Sequence, residues 1–297
     1  MADNRTGRRE DRRAFRPTVD GRLETRVLMA AHLSAIRAQT AANGQAVVIT
    51  NQEGVRFFVS VAFGGTVRAT AATGGRVNLV VDGTTPSSLL EINLVVPGQP
   101  RGLAHTFNTT QSTAVKQLNI ASIRVTSGMI NAIEGYQTAN LSGAIIAAGT
   151  TRVDRIALNS ILPGGSIQVG GDLNTLDIYN NVTLSGGNLT VGRDLNWFQT
   201  FGNVSLSNNA RITIGRDLGL TLQPPKGSGN FGQGLFISGN LTIAPGSNLI
   251  VGRTIVGGVL IQGNFSGVSR FSASGFTPLN PAFPNQFPVT VGGTLAA

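Results

Sequence analysis

Ser166-Ile167-Gln168-Val169-Gly170-Gly171-Asp172-Leu173, Asn188-Leu189-Thr190-Val191-Gly192-Arg193-Asp194-Leu195 and Arg211-Ile212-Thr213-Ile214-Gly215-Arg216-Asp217-Leu218 align without a gap. Each copy alternates polar and apolar residues over four positions, which is the period of a strand with one face buried. Each then turns at a glycine and restarts at an Asp-Leu pair, residue types that suit a tight corner. Weaker copies follow at Leu235-Phe236-Ile237-Ser238-Gly239-Asn240-Leu241, Leu260-Ile261-Gln262-Gly263-Asn264-Phe265 and Val289-Thr290-Val291-Gly292-Gly293-Thr294-Leu295. On this alignment the anchoring glycines are 170, 192, 215, 239, 263 and 292, with Gly128 and Gly149 extending the period upstream. A second set of strand-like runs, Asn181-Val182-Thr183-Leu184-Ser185 and Asn203-Val204-Ser205-Leu206-Ser207, repeats with the same spacing.

A period near 22 residues holds about three short strands joined by Gly/Asn turns. That length suits one coil of a parallel solenoid better than a propeller blade of roughly 40 residues or more. An antiparallel sandwich can space its strands regularly, but it has no reason to repeat G-x-D-L. The fold expected is all-β: a parallel β-solenoid over residues 113–297, interrupted by loops near 223–234 and 270–288. Upstream, AVVIT, VRFFVSVAF, TVRATAAT, GRVNLVVDG and SSLLEINLVV read as four or five strands bounded by Gly-Gly, Asp-Gly or Pro. Residues 39–112 are therefore expected to be a β-rich unit, or a cap over the open end of the coil stack.

Composition agrees with this reading. Charged residues make up 12% of the chain and glycine supplies 39 of 297 residues, a mixture for strands and turns and not for helical bundles. The absence of cysteine excludes thiol catalysis, disulfides and cysteine-ligated zinc. A net charge of +9 raises the question of nucleic acid. Residues 1–37 carry nine arginines against five acids, so they account for +4 of it. The remaining arginines are dispersed and form no basic stripe with interleaved aromatics, so no nucleic-acid partner is expected.

Residues 1–38 read as a disordered basic leader. Within it, Val27–Ile36 is a short apolar stretch that suits either an export signal or an amphipathic helix, and is too short to cross a bilayer. The run Phe15-Arg16-Pro17-Thr18-Val19-Asp20-Gly21-Arg22-Leu23-Glu24-Thr25-Arg26-Val27-Leu28-Met29 resembles the N-terminal LEPR-xLL-type region of planctomycete extracellular and cell-surface proteins. Leu23, Glu24, Arg26 and Leu28 match that motif, whereas Thr25 stands in place of its proline and Met29 in place of its last leucine. The resemblance covers about 15 residues. It implies export or surface display and is silent on activity.

Asp172, Asp194 and Asp217 would stack into a column if the register holds, with Arg193 and Arg216 beside it. Such a column can hold calcium, or supply acid and base as in sugar-cleaving parallel β-helices. The structural alternative is that each aspartate accepts backbone N–H bonds at a corner, and it is the reading preferred. Lys226-Gly227-Ser228-Gly229-Asn230-Phe231-Gly232 has G-x-G-x-x-G spacing, but Pro224-Pro225 precedes it and a strand follows, so it reads as a projecting loop. The Asn-x-Ser/Thr triplets at Asn108, Asn140, Asn181, Asn188, Asn203, Asn240 and Asn264 are explained by the repeat, with glycosylation as the alternative. His32 and His105 lie far apart and near no acid- or serine-centred motif. Tyr179, Trp197, Phe198 and Phe201 are read as packing, or else as a carbohydrate-stacking strip.

No catalytic, cofactor-binding or metal-binding constellation is expected. The function expected is that of a non-enzymatic, exported structural or adhesive cell-surface solenoid. Its partners would be a cell-surface glycan or protein, or further copies of itself. A polysaccharide-active β-helix enzyme is the alternative, and so is a piece of a larger adhesin, since the chain stops on a repeat.

Overall fold

The computed structural model of the chain describes residues 36–95, 117–126, 129–147, 149, 152–219, 234–267, 270–277, 289–291 and 294–296. The leader residues before 36, His32, His105, Asn108 and the 226–232 loop lie outside them. Among the described residues the protein is all-β, a parallel solenoid of about six coils entered through an antiparallel cap.

The coils share three principal strands, and like strands pair in parallel from coil to coil; in the later coils a further pair, Thr254–Val256 with Gly275–Thr277, also runs parallel. On the first face Ser166–Val169, Asn188–Val191, Arg211–Ile214, Asn248–Val251 and Arg270–Ser272 stack in that order. On the second, Arg152–Ile161, Asp172–Ile178, Leu195–Thr200, Leu235–Ile237, Val259–Ile261 and Val289–Val291 do the same. The third stacks Val182–Ser185, Val204–Ser207, Leu241–Ile243, Phe265–Ser266 and Leu295–Ala296. Of the interruption expected over 270–288, residues 270–277 carry two strands, Arg270–Ser272 and Gly275–Thr277.

Alternation explains why these runs form strands with one buried side. In Val182–Ser185 and Val204–Ser207 the valine and leucine are buried, and the intervening Thr or Ser faces out. Rows such as Ile145, Ile167, Leu189, Ile212 and Leu249 run up the inside of the first face, each at most 1% exposed. Burying one such side chain stabilises by about 1.5–3 kcal/mol. Stacking of identical shapes in successive coils supplies the close packing.

The corner after the first face is where glycine is required. A Cβ on Gly192 would lie 2.0 Å from the carbonyl oxygen of Gly170, and one on Gly215 2.1 Å from that of Gly192. The same contact recurs at Gly252 against Gly215, at 2.2 Å. The glycine column is thus 170, 192, 215 and 252. This corrects the sequence alignment, which placed Gly239 and Gly263 in it. Those two glycines turn the corner between the second and third faces, where Gly239 N donates to Gly202 O and Gly263 N to Gly239 O. The true successor of the Arg211–Leu218 copy is Asn248-Leu249-Ile250-Val251-Gly252-Arg253-Thr254-Ile255, paired to it residue by residue. Upstream, Ala147 pairs Val169, so Gly149 falls one residue beyond the Gly170 column.

The cap is built from the strands expected between residues 46 and 96. Ala46–Thr50, Arg56–Ala62 and Leu89–Leu94 pair antiparallel in sequence order, and Thr66–Ala72 forms a hairpin with Arg76–Asp82. Arg76–Asp82 and Leu89–Leu94 then pair in parallel with Leu118–Val125 and Ala132–Ala147, which converts the antiparallel cap into the solenoid. Cap residues such as Phe57, Leu79 and Leu90 belong to the same continuous core as Leu184 and Ile243. Among the described residues no helix is long and apolar enough to cross a membrane.

Candidate functional site

The structure brings Asp172, Asp194, Asp217, Arg193 and Arg216 together in one ladder at the first corner and adds Arg253, which the sequence alignment had missed. Asp172 Oδ1 accepts the backbone N–H of Asp194 at 3.2 Å, Asp194 Oδ1 that of Asp217 at 3.0 Å, and Asp217 Oδ1 that of Thr254 at 3.1 Å. The second oxygen of each carboxylate pairs with the arginine of the next coil: Arg193 with Asp172 at 2.7 Å, Arg216 with Asp194 at 3.1 Å, and Arg253 with Asp217. Each arginine therefore serves the acid one coil back, not its own sequence neighbour. Both oxygens of all three aspartates are committed, and like charges in the column are separated by guanidinium groups. Among the described residues no three His, Asp or Glu side chains converge as metal ligands.

The second corner carries an asparagine ladder. Asn203 N donates to Asn181 Oδ1, Asn240 N to Asn203 Oδ1, Asn264 N to Asn240 Oδ1 and Thr294 N to Asn264 Oδ1, at 2.7–2.8 Å. Four of the Asn-x-Ser/Thr triplets are thereby accounted for as corner chemistry. Asn140 belongs to another ladder, in which Asn159 Nδ2 donates to Asn140 Oδ1 at 2.7 Å and Asn180 Nδ2 to Asn159 Oδ1 at 2.8 Å. Asn188 is exposed at the start of a first-face strand.

The four aromatic residues separate. Phe198 is core, 1% exposed. Trp197 is half-buried and donates Nε1–H to Gln199 Oε1 at 3.0 Å. Tyr179 and Phe201, at 38% and 48% exposure, stand outward on successive coils with ring centroids 6.4 Å apart. Two further rings brace them edge-on: Tyr136 against Tyr179 at 5.1 Å and Phe236 against Phe201 at 6.2 Å.

Beside this aromatic row runs a polar one. Glu134, Asp177 and Gln199 each lie two residues before an aromatic: Glu134 and Tyr136 share the strand Ala132–Ala147, whereas Tyr179 and Phe201 stand just past the ends of Asp172–Ile178 and Leu195–Thr200. Arg155 reaches Asp177 Oδ2 at 2.6 Å and Glu134 Oε1 at 3.6 Å. The residue between the two acids in the pairing is Ala157, small enough to let the guanidinium pass over it. Asp177 is buried, 6% exposed. The Tyr136 hydroxyl is pushed up to about 12, first by burial and then by the Asp177 carboxylate and Tyr179. The spacing acid/amide-x-aromatic was present in the sequence, but 43 residues separate Tyr136 from Tyr179 and only the coil register shows that they touch.

The fold and corners define a parallel β-solenoid. Comparison with protein-family models, curated proteins and solved structures gives no significant match for the chain.

Proposed function

We propose that the protein is a non-enzymatic, exported structural or adhesive solenoid of the cell surface, whose action is presentation of side chains at fixed spacing on a rigid ladder. The observation that carries this is the use of the repeated polar residues. Asp172, Asp194 and Asp217 bond to corner amides and inter-coil arginines, and Asn181, Asn203, Asn240 and Asn264 bond to amides of the next coil. Side chains that stitch backbone to backbone rigidify the coil stack, and the repeated aspartates are thereby engaged in structure. The resemblance of residues 15–29 to the LEPR-xLL-type region supports export.

Protease treatment of intact cells producing the tagged chain tests the location. Release of the solenoid into the medium is expected, and confinement of the protein to the cytoplasmic fraction would overturn the reading. A polysaccharide-active enzyme would instead release reducing or unsaturated ends from polygalacturonate, xylan or a β-glucan, and this release would be abolished by Asp194→Asn.

A further inference from the structure

We infer that the double row formed by Tyr179 and Phe201 with Asp177, Arg155 and Glu134 is a binding strip for a neutral β-linked polysaccharide. The inference deepens the adhesive reading and rests on it. On the third face the outward row carries small polar residues, Thr183, Ser205, Thr242 and Ser266. Two large exposed rings on successive coils depart from that pattern. They are held, not loose: Tyr136 and Phe236 abut them edge-on from either end, so their outer faces are fixed before a ligand arrives, which limits the ordering cost of binding.

The geometry fits a sugar chain in three ways. The exposed rings lie 6.4 Å apart with their planes tilted by 55°, so a chain that twists between neighbouring pyranose units can lay one unit on each ring. The polar row lies two residues back along the chain, beside the rings, where the equatorial hydroxyls of a stacked pyranose project. Its accessible groups are the Arg155 guanidinium and the Glu134 carboxylate, whose side chains are 40% and 25% exposed and can meet those hydroxyls. A few polar groups beside an aromatic platform is the usual composition of a small-molecule site.

Charge and area decide between occupants. Arg155 is shared by two carboxylates, so no unpaired cation is offered to an acidic polymer, and a neutral chain is favoured. A second copy of the protein would need roughly 800 Å² per partner for a stable interface. Two partly exposed rings supply only on the order of 200 Å².

The test is affinity electrophoresis of the full chain through gels containing hydroxyethylcellulose, glycogen or polygalacturonate. Retardation in the hydroxyethylcellulose gel alone is expected. Tyr179→Ala and Phe201→Ala should each weaken it about tenfold, the equivalent of one lost stacking contact. Phe63→Ala should leave it unchanged, since Phe63 is 72% exposed but sits in a cap turn away from the strip. Thermal melts confirm that each variant folds. Glu134→Gln, which keeps the shape of the strip and loses only the looser 3.6 Å pair with Arg155, should weaken binding without altering the melt. Equal retardation of the parent and both aromatic variants would overturn the inference, as would no retardation of the parent. Association in sedimentation that disappears in Tyr179→Ala would overturn it in favour of a second copy. Failure of the strip leaves the surface location standing, whereas binding by a protein found only in the cytoplasm would refute export and not the strip.

Discussion

At the scale of single residues, the aspartate ladder divides its work between two oxygens, and the division can be measured. Asp194→Asn keeps an oxygen for the Asp217 amide but loses the ion pair with Arg216, which is half-exposed and weak for that reason. Asp194→Ala loses both and leaves a corner amide without its acceptor. Chemical denaturation should show a loss of about 1–3 kcal/mol for Asp194→Ala and well under half of that for Asp194→Asn. Equal losses would mean that the ion pair, and not the amide bond, holds the corner. Tyr136 provides a second residue-scale test. Its hydroxyl is raised to about 12 from an ordinary 10.0, so the folded protein keeps this proton where the unfolded chain releases it. Its stabilising effect is complete below pH 10 and is lost as pH rises from 10 to 12. The chain has two tyrosines, so in Tyr179→Phe, which leaves burial and Asp177 as the larger causes, the remaining phenolate absorbance should still emerge well above pH 10. Emergence near pH 10 would show that the ring is not enclosed by Asp177 and its neighbours.

At the scale of the element, the first-face strand and its corner were legible because three copies agree in every feature that a coil needs. The apolar pair faces in, the glycine permits backbone contact with the coil below, and the aspartate caps the coil above. The later copies misled because both corners set a glycine and an Asn or Asp between apolar runs. Leu235–Leu241 and Leu260–Phe265 share those residue types, with Ser238 and Gln262 before the glycine, yet turn between the second and third faces. Asn248–Ile255 was overlooked because Thr254 replaces the aspartate and residues 220–233 lengthen the spacing from Gly215 to Gly252 to 37 residues. The aromatic strip was only half legible: its residues were named, but contacts between coils depend on a register that spacing alone does not fix. The corner can be tested directly. Gly192→Ala would place a methyl 2.0 Å from Gly170 O and should cost about 3 kcal/mol by thermal or chemical denaturation, the upper end of overpacking costs. A cost below about 0.5 kcal/mol, ordinary for a surface position, would contradict the close approach of these backbones.

At the scale of the whole molecule, cap and solenoid share one core, yet each coil touches mainly the coils above and below it. Stability in such a stack is approximately a sum of coil and neighbour terms, so damage should spread locally. Leu184 is fully buried on the third face. Leu184→Ala should cost about 2–5 kcal/mol. In hydrogen exchange, protection should fall first in Val204–Ser207, its direct partner, and last in the cap strand Arg56–Ala62. Uniform loss across both would indicate a single all-or-none unit instead. The cap also shows how the stack starts: its strands Arg76–Asp82 and Leu89–Leu94 pair onward in parallel and form the first rung on which the coils build. The most direct test of the coil register uses the absence of native cysteine. Thr213 and Ile250 are paired on adjacent coils of the first face, about 4.8 Å apart as neighbouring strands and within the range a disulfide spans. Thr213→Cys combined with Ile250→Cys should close into a disulfide on mild oxidation of the folded protein, detected by intact mass. Failure to close, with closure of Thr213→Cys and Ile237→Cys in its place, would contradict the register on which the ladder, the corners and the aromatic strip all depend.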